Sequence, residues 1–151
     1  MEPSSTKGTK MKQTKTAQII TESVALEFVD PQGDTTELEA DLVFDPADPF
    51  AVTMVFRTGA QEVHWTFGRE LLVEGLYEPT GDGDVHVWPC LSSNGSAVVI
   101  VELCSPDGEL LVQASSRAVN QFVNRMLASV PDGQESAFVD FDSELARILA
   151  S

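Results

Sequence analysis

Two histidines, two cysteines and 24 acidic residues are the side chains that could do acid–base, nucleophilic or metal chemistry. His64 and His86 each fall on the outward side of a predicted strand, and a His/His/acid metal set would need those two strands to pair. No HExxH helix is present to bring two imidazoles to one face. Neither Cys90 nor Cys104 has a histidine beside it in sequence, and no G-x-S-x-G elbow occurs. The thiols lack CxxC spacing, so they do not mark a zinc site. A turn at Ser92 to Gly95 puts Cys104 opposite roughly position 83, which argues against a Cys90–Cys104 disulfide. Carboxylates pair up at Asp45 and Asp48, Asp82 and Asp84, and Asp140 and Asp142. They read as turn and cap residues. Asp82-Gly83-Asp84 lacks the twelve-residue ligand pattern of a calcium loop, and Gly81-Asp82-Gly83 is not followed by a phosphate-cradling Gly-Lys-Ser or Gly-Lys-Thr. The expectation is a chain with no catalytic residues, no metal ligands and no cofactor.

The elements that carry these residues follow from hydrophobic periodicity. Val24, Leu26 and Phe28 alternate in a first strand from about Ala17 to Val29. Leu38, Ala40, Leu42 and Phe44 line one face of the second, with Glu37, Glu39 and Asp41 on the other. Asp45-Pro46-Ala47-Asp48-Pro49 breaks the pairing. Phe50, Val52, Met54 and Phe56 then point inward in a third strand, and Val63, Trp65 and Phe67 in a fourth, so four linked strands predict an antiparallel meander. Arg69 to Gly75 reads as a short helix with Gly75 as its left-handed C′ residue. Pro79 to Asp84 reads as a tight loop, and Val85 and Val87 open a fifth strand that Pro89 ends. Ala97 to Leu103, apolar on both faces, is a central sixth strand whose register the sequence leaves open. Leu110 to Ala114 is the seventh.

Val119, Phe122, Val123, Met126 and Leu127 recur at helical spacing after a Ser115 or Ser116 cap. A last helix is expected near Asp142, with Phe141 before it and Leu145, Ile148 and Leu149 on one face. The class is α+β: a seven-stranded antiparallel sheet or barrel, a short helix after strand four, and two C-terminal helices.

Charge bounds the partners. The chain carries a net −15, unevenly spread. All four lysines (Lys7, Lys10, Lys12 and Lys15) lie in the first 16 residues, which sum to +3 and read as a disordered basic tail. Residues 17–151, a single domain, hold five arginines against 23 acids, a net −18. Such a body repels phosphate backbones and anionic membrane surfaces. The longest apolar run, Ala97 to Val101, is far short of a membrane span, and no signal-peptide core follows the basic start. The expected setting is cytoplasmic, with no membrane insertion and no nucleic acid. Tyr77 in its loop and Trp88 opposite in parity to Val85 and Val87 are the aromatics expected to be partly exposed. With Glu78 and His86 they form the candidate partner surface, since an exposed Trp in acidic surroundings suits a protein partner.

Several stretches then resemble one family. Asp45-Pro46-Ala47-Asp48-Pro49-Phe50-Ala51-Val52 is similar to the DxADPxAV stretch of the SsgA-like proteins, actinobacterial regulators of sporulation-specific cell division. Trp65-Thr66-Phe67-Gly68-Arg69-Glu70-Leu71-Leu72-Val73-Glu74-Gly75-Leu76 matches that family's W-x-F-x-R-x-L-L-x-E-G-L. Pro79 to Val85, Val87-Trp88-Pro89, Ser105 to Glu109 and the segment Phe141 to Ala150 add to the match, with the C-terminal part leaning toward the SsgB-like branch. The resemblance covers about residues 20 to 151 and departs at His86, where a basic residue is expected, and in the longer basic extension. It implies a fold similar to the Whirly type and a homo-oligomer, a trimer having been seen in the family. It also implies a role in positioning or recruiting the tubulin-like GTPase FtsZ at the division septum, with an SsgA-like paralogue as helper. No enzymatic residues come with it. The fold analogy leaves single-stranded nucleic-acid binding as the alternative.

Overall fold

A computed structural model describes residues 18–137. The basic tail and the expected helix near Asp142 lie outside the described residues. Strands β1 (Ile20–Val29), β2 (Thr35–Phe44), β3 (Ala51–Thr58) and β4 (Gln61–Gly68) form the expected meander, and helix α1 (Arg69–Gly75) follows. Strands β5 (Thr80–Asp82), β6 (Val85–Leu91), β7 (Ala97–Ser105) and β8 (Gly108–Ser115) form a second meander, followed by α2 (Ser116–Ser129). One antiparallel sheet joins them in the order β4-β3-β2-β1-β8-β7-β6-β5 and curls into a half-barrel. Within the sheet the two meanders pair only where Leu26, Glu27 and Phe28 face Ala114, Gln113 and Val112.

Strand parity decides what the half-barrel holds. The inner face carries Val24, Leu26, Ala40, Leu42, Val52, Met54, Phe56, Val85, Val87, Val99, Val101 and Val112, all buried. Helix α2 closes this face with Val119, Phe122, Val123 and Met126. Its start is fixed by Ser115, whose hydroxyl accepts from the Ala118 N–H at 3.2 Å. Arg125 ties it to β1, donating to Glu22 at 2.6 Å and to the Thr21 carbonyl.

Five details differ from the sequence expectation. There are eight strands, because part of the predicted 79–84 loop is β5 and the hairpin turn to β6, with Gly83 at φ +63° in the first turn position. Pro89 does not end β6, which continues to Leu91. Beyond Val87 the strand has lost β5 as a neighbour, so the missing Pro89 N–H faces no ladder. Gly75 is not a left-handed cap; it is the last residue of α1, with Leu76 after it still right-handed, and its lack of a side chain admits Val87. Phe50 is 49% exposed because β3 starts one residue later. Val63 is also exposed, since β4 is the sheet's edge, while Trp65 stays half-buried against the core. The register left open by sequence pairs Val99 with Ala114 and Val101 with Val112.

Candidate functional site

The outer face of β6 carries His86, Trp88 and Cys90, alternating with the buried Val85 and Val87. In register across it, β7 presents Glu102 opposite His86 and Ile100 opposite Trp88. The structure thus brings His86 and Trp88 onto one face, as their parity requires. Trp88 is half-buried beside Ile100, and His86 is exposed. The imidazole sits over Gly81, where a methyl would lie 3.0 Å from its Cγ. Its Nδ1 is 3.4 Å from a Glu102 carboxylate oxygen. Tyr77 and Glu78 lie on the connection from α1 to β5, at the same end of the sheet. Both of their N–H groups donate to the Glu74 carbonyl, which turns the chain and leaves Tyr77 76% exposed. No described hydrogen bond joins this pair to His86 or Trp88.

The two histidines do not meet. His64 sits on edge strand β4, next to Glu62 at 3.2 Å, and five strands separate β4 from β6. A shared metal between them is therefore ruled out by topology, although both face outward as expected. Cys90 and Cys104 are free thiols; Cys104 stands opposite Asp84, whose carbonyl accepts its N–H. Partial burial pushes the Cys104 thiol up from its ordinary value, and the Glu102, Glu109 and Asp84 charges push the same way.

The described arginines are largely committed to carboxylates. Arg57 donates to Asp41 at 2.6 Å and holds its carboxyl below the usual range, with help from the Ser23 hydroxyl. Arg125 pairs with Glu22. Arg69, the first residue of α1, is 2% exposed. Its Nε and Nη2 donate to one Glu135 oxygen at 3.1 and 2.9 Å, and Nη2 also reaches the Pro131 carbonyl. Its guanidinium lies 5.6 Å over the Phe44 ring. The Glu135 backbone N–H, aided by Arg69, holds the Glu135 carboxyl below the usual range against the cost of desolvation. This pin joins α1, the end of β2 and the segment after α2. Sequence reasoning treated Arg69 only as part of a motif. The available signal was a lone cation placed between Phe67 and Leu71-Leu72.

The profile of one family, described as the Streptomyces sporulation and cell division protein SsgA, matches residues 38–135. The chain belongs to the SsgA family. Within it the SsgB branch is favoured. The chain is 52% identical over 112 residues to the sporulation-specific cell division protein SsgB of Streptomyces coelicolor, covering 74% of this chain and 81% of that protein. It is 44% identical over 131 residues to the SsgB of Frankia casuarinae, covering 86% and 91%. Solved structures agree. One, from work on SsgB mutations that correlate to longitudinal cell division during sporulation of Streptomyces coelicolor, superposes with a TM-score of 0.77 at 42% identity, covering 82% of this chain and 97% of that one. The SsgA-like sporulation-specific cell division protein of Thermobifida fusca gives 0.80 at 34% identity, covering 87% and 96%. The SsgA-family match spans both the Arg69–Glu135 pin and the four partner-surface candidates, and begins only after β1.

Proposed function

We propose that this chain is a non-enzymatic adaptor in sporulation-specific cell division, helping to position or recruit the tubulin-like GTPase FtsZ at septum sites in the cytoplasm. The observation that carries this reading is its similarity to SsgB proteins over most of its length. The geometry supports it. Among the described residues each histidine contacts a glutamate, and neither is hydrogen-bonded to a serine or cysteine as a base for a nucleophile would be. Among the described residues, which include no lysine, three of the four arginines are paired with carboxylates, so this part of the chain offers little free cation to a phosphate backbone. Single-stranded nucleic-acid binding is thereby disfavoured. The partner-facing residues would be Tyr77, Glu78, His86 and Trp88, and an SsgA-like paralogue and a homo-oligomer, a trimer by resemblance, complete the assembly. In an oligomer several weak sites raise avidity for a polymer without a chemical step.

The test is sedimentation of FtsZ polymers from the same organism with and without this protein, at two salt concentrations, with an oligonucleotide as control. Co-sedimentation or bundling is expected, with no oligonucleotide binding. Tyr77→Ala with Trp88→Ala is expected to weaken co-sedimentation by about tenfold or more while leaving the circular dichroism unchanged. Oligonucleotide binding with no effect on FtsZ would reverse the assignment.

A further inference from the structure

We propose that the free edge of β4 is a docking surface for a second copy of this chain, the two β4 strands pairing antiparallel about a two-fold axis at Val63. The contact does not depend on the FtsZ reading, and as a two-fold it is separate from the trimer drawn from resemblance. It starts from backbone groups. Strand β4 is one of the sheet's two edges. Its hairpin with β3 closes over Gly59-Ala60, and in a two-residue loop the flanking residues, here Thr58 and Gln61, form a hydrogen-bonded pair. Counting on from there, Val63, Trp65 and Phe67 also turn their N–H and C=O groups to β3, while Glu62, His64 and Thr66 turn theirs outward. Every residue from Gln61 to His64 is exposed. Such a row of unpaired groups is a template for another strand. Strand β4 lacks the usual guards: its 8 residues include no proline or lysine, and its pairing with β3 runs without a bulge. The other edge, β5, has only 3 residues.

The side chains of the edge select the occupant and the register. In a two-fold centred on Val63, Glu62 stands opposite the partner's His64, and His64 opposite the partner's Glu62. Both are outward-turned positions, so each pair exchanges its N–H and C=O bonds. Glu62 and His64 already meet at 3.2 Å within one strand, which shows that carboxylate and imidazole suit each other here. A two-fold centred on Glu62 or His64 would instead set carboxylate against carboxylate or imidazole against imidazole. On the inner face Val63, 37% exposed, would meet its own copy, with Trp65 of each chain diagonal to it. The partners of Val63 and Trp65 on β3, Phe56 and Met54, are buried, so the second copy carries the core past the edge. One strand pair is a small interface between two bodies of net −18, so the association is weak and strengthens as salt screens that repulsion.

The experiment oxidises the full chain at high salt, with Cys90→Ser and Cys104→Ser leaving an added cysteine as the sole thiol. Residues of a non-hydrogen-bonded pair lie about 4.5 Å apart at Cα, so Val63→Cys should form a disulfide with its own copy. Thr66→Cys, on the same edge but facing the partner's hairpin turn, should give about tenfold less linked dimer. His64→Pro removes an outward N–H and leaves the β3 ladder intact. Added to Val63→Cys, it should cut the yield about tenfold with the circular dichroism unchanged. Absence of the linked dimer overturns the proposal. So does a yield from Thr66→Cys that equals or exceeds that from Val63→Cys, which would mean random collision or another register, or a yield that His64→Pro leaves unaltered. The comparison of Val63→Cys with Thr66→Cys decides on its own if the proline variant does not fold.

Discussion

Replacing Glu135 by alanine is expected to destabilise the fold by about 3–5 kcal/mol, although the residue lies near the end of the described chain. The reason is what it leaves behind. Arg69 is 2% exposed, so without Glu135 its guanidinium remains buried with one carbonyl and one aromatic face. Its Nη1 already has no hydrogen-bond partner. Arg69→Met should cost less, below about 2 kcal/mol, because it removes the buried charge, and Glu135, 13% exposed, can regain water. The double variant should recover much of the Glu135→Ala loss. Urea midpoints of the four proteins measure this coupling. The acid dependence gives a second reading. Glu135 has a lowered carboxyl in the fold, so its contribution is full above the unfolded value near pH 4.3. It disappears as pH falls through the folded value. The Glu135→Ala protein should show a shallower stability loss below about pH 4. If Glu135→Ala unfolds at the native urea concentration, the pin does not hold this fold together.

Gly75→Ala is expected to cost about 3 kcal/mol, against the stabilisation of up to about 1 kcal/mol that the same change gives in an open helix. A methyl at position 75 would overlap Val87 Cγ1 and lie 2.7 Å from its Cβ. Val87 is fully buried in β6 between β5 and β7, so it has nowhere to retreat. Val87→Ala removes the overlapping methyls but keeps the Cβ at 2.7 Å, so it should rescue Gly75→Ala in part, making the pair less destabilised than the sum of the singles. Thermal midpoints decide the sign. A higher midpoint for Gly75→Ala would mean that α1 does not press on β6 as described.

These two positions mark where sequence reasoning stopped. The alternation of Leu38, Ala40, Leu42 and Phe44 and the i, i+3, i+4 spacing from Val119 made the meander and α2 legible, because periodicity reports which side faces the core. Gly75 was legible as a special glycine but assigned the wrong role. A close approach and a left-handed cap ask for the same residue, and only the partner strand distinguishes them. Pro89 was read as a stop because the loss of β5 beside it is a tertiary fact. Trp88 and Tyr77 were recognised as outward-facing from strand parity and loop chemistry. The Arg69–Glu135 pair was not, since its proximity is set by long-range packing.

The narrow seam between the two halves of the sheet has a consequence for the order of events in folding. Within each meander every pairing joins neighbours in the chain, so both can zip locally. The seam instead closes a loop from Phe28 to Val112 for three residue pairs, and the entropy of that closure must be met before those pairs repay it. Helix α2 supplies the missing incentive. It belongs to the second meander, yet it packs on β1 and anchors there through Arg125. Helix α1, which follows the first meander, reaches the other way onto β5 and β6, so each helix adds packing to the three seam pairs and together they join two locally zipped ribbons into one cooperative unit.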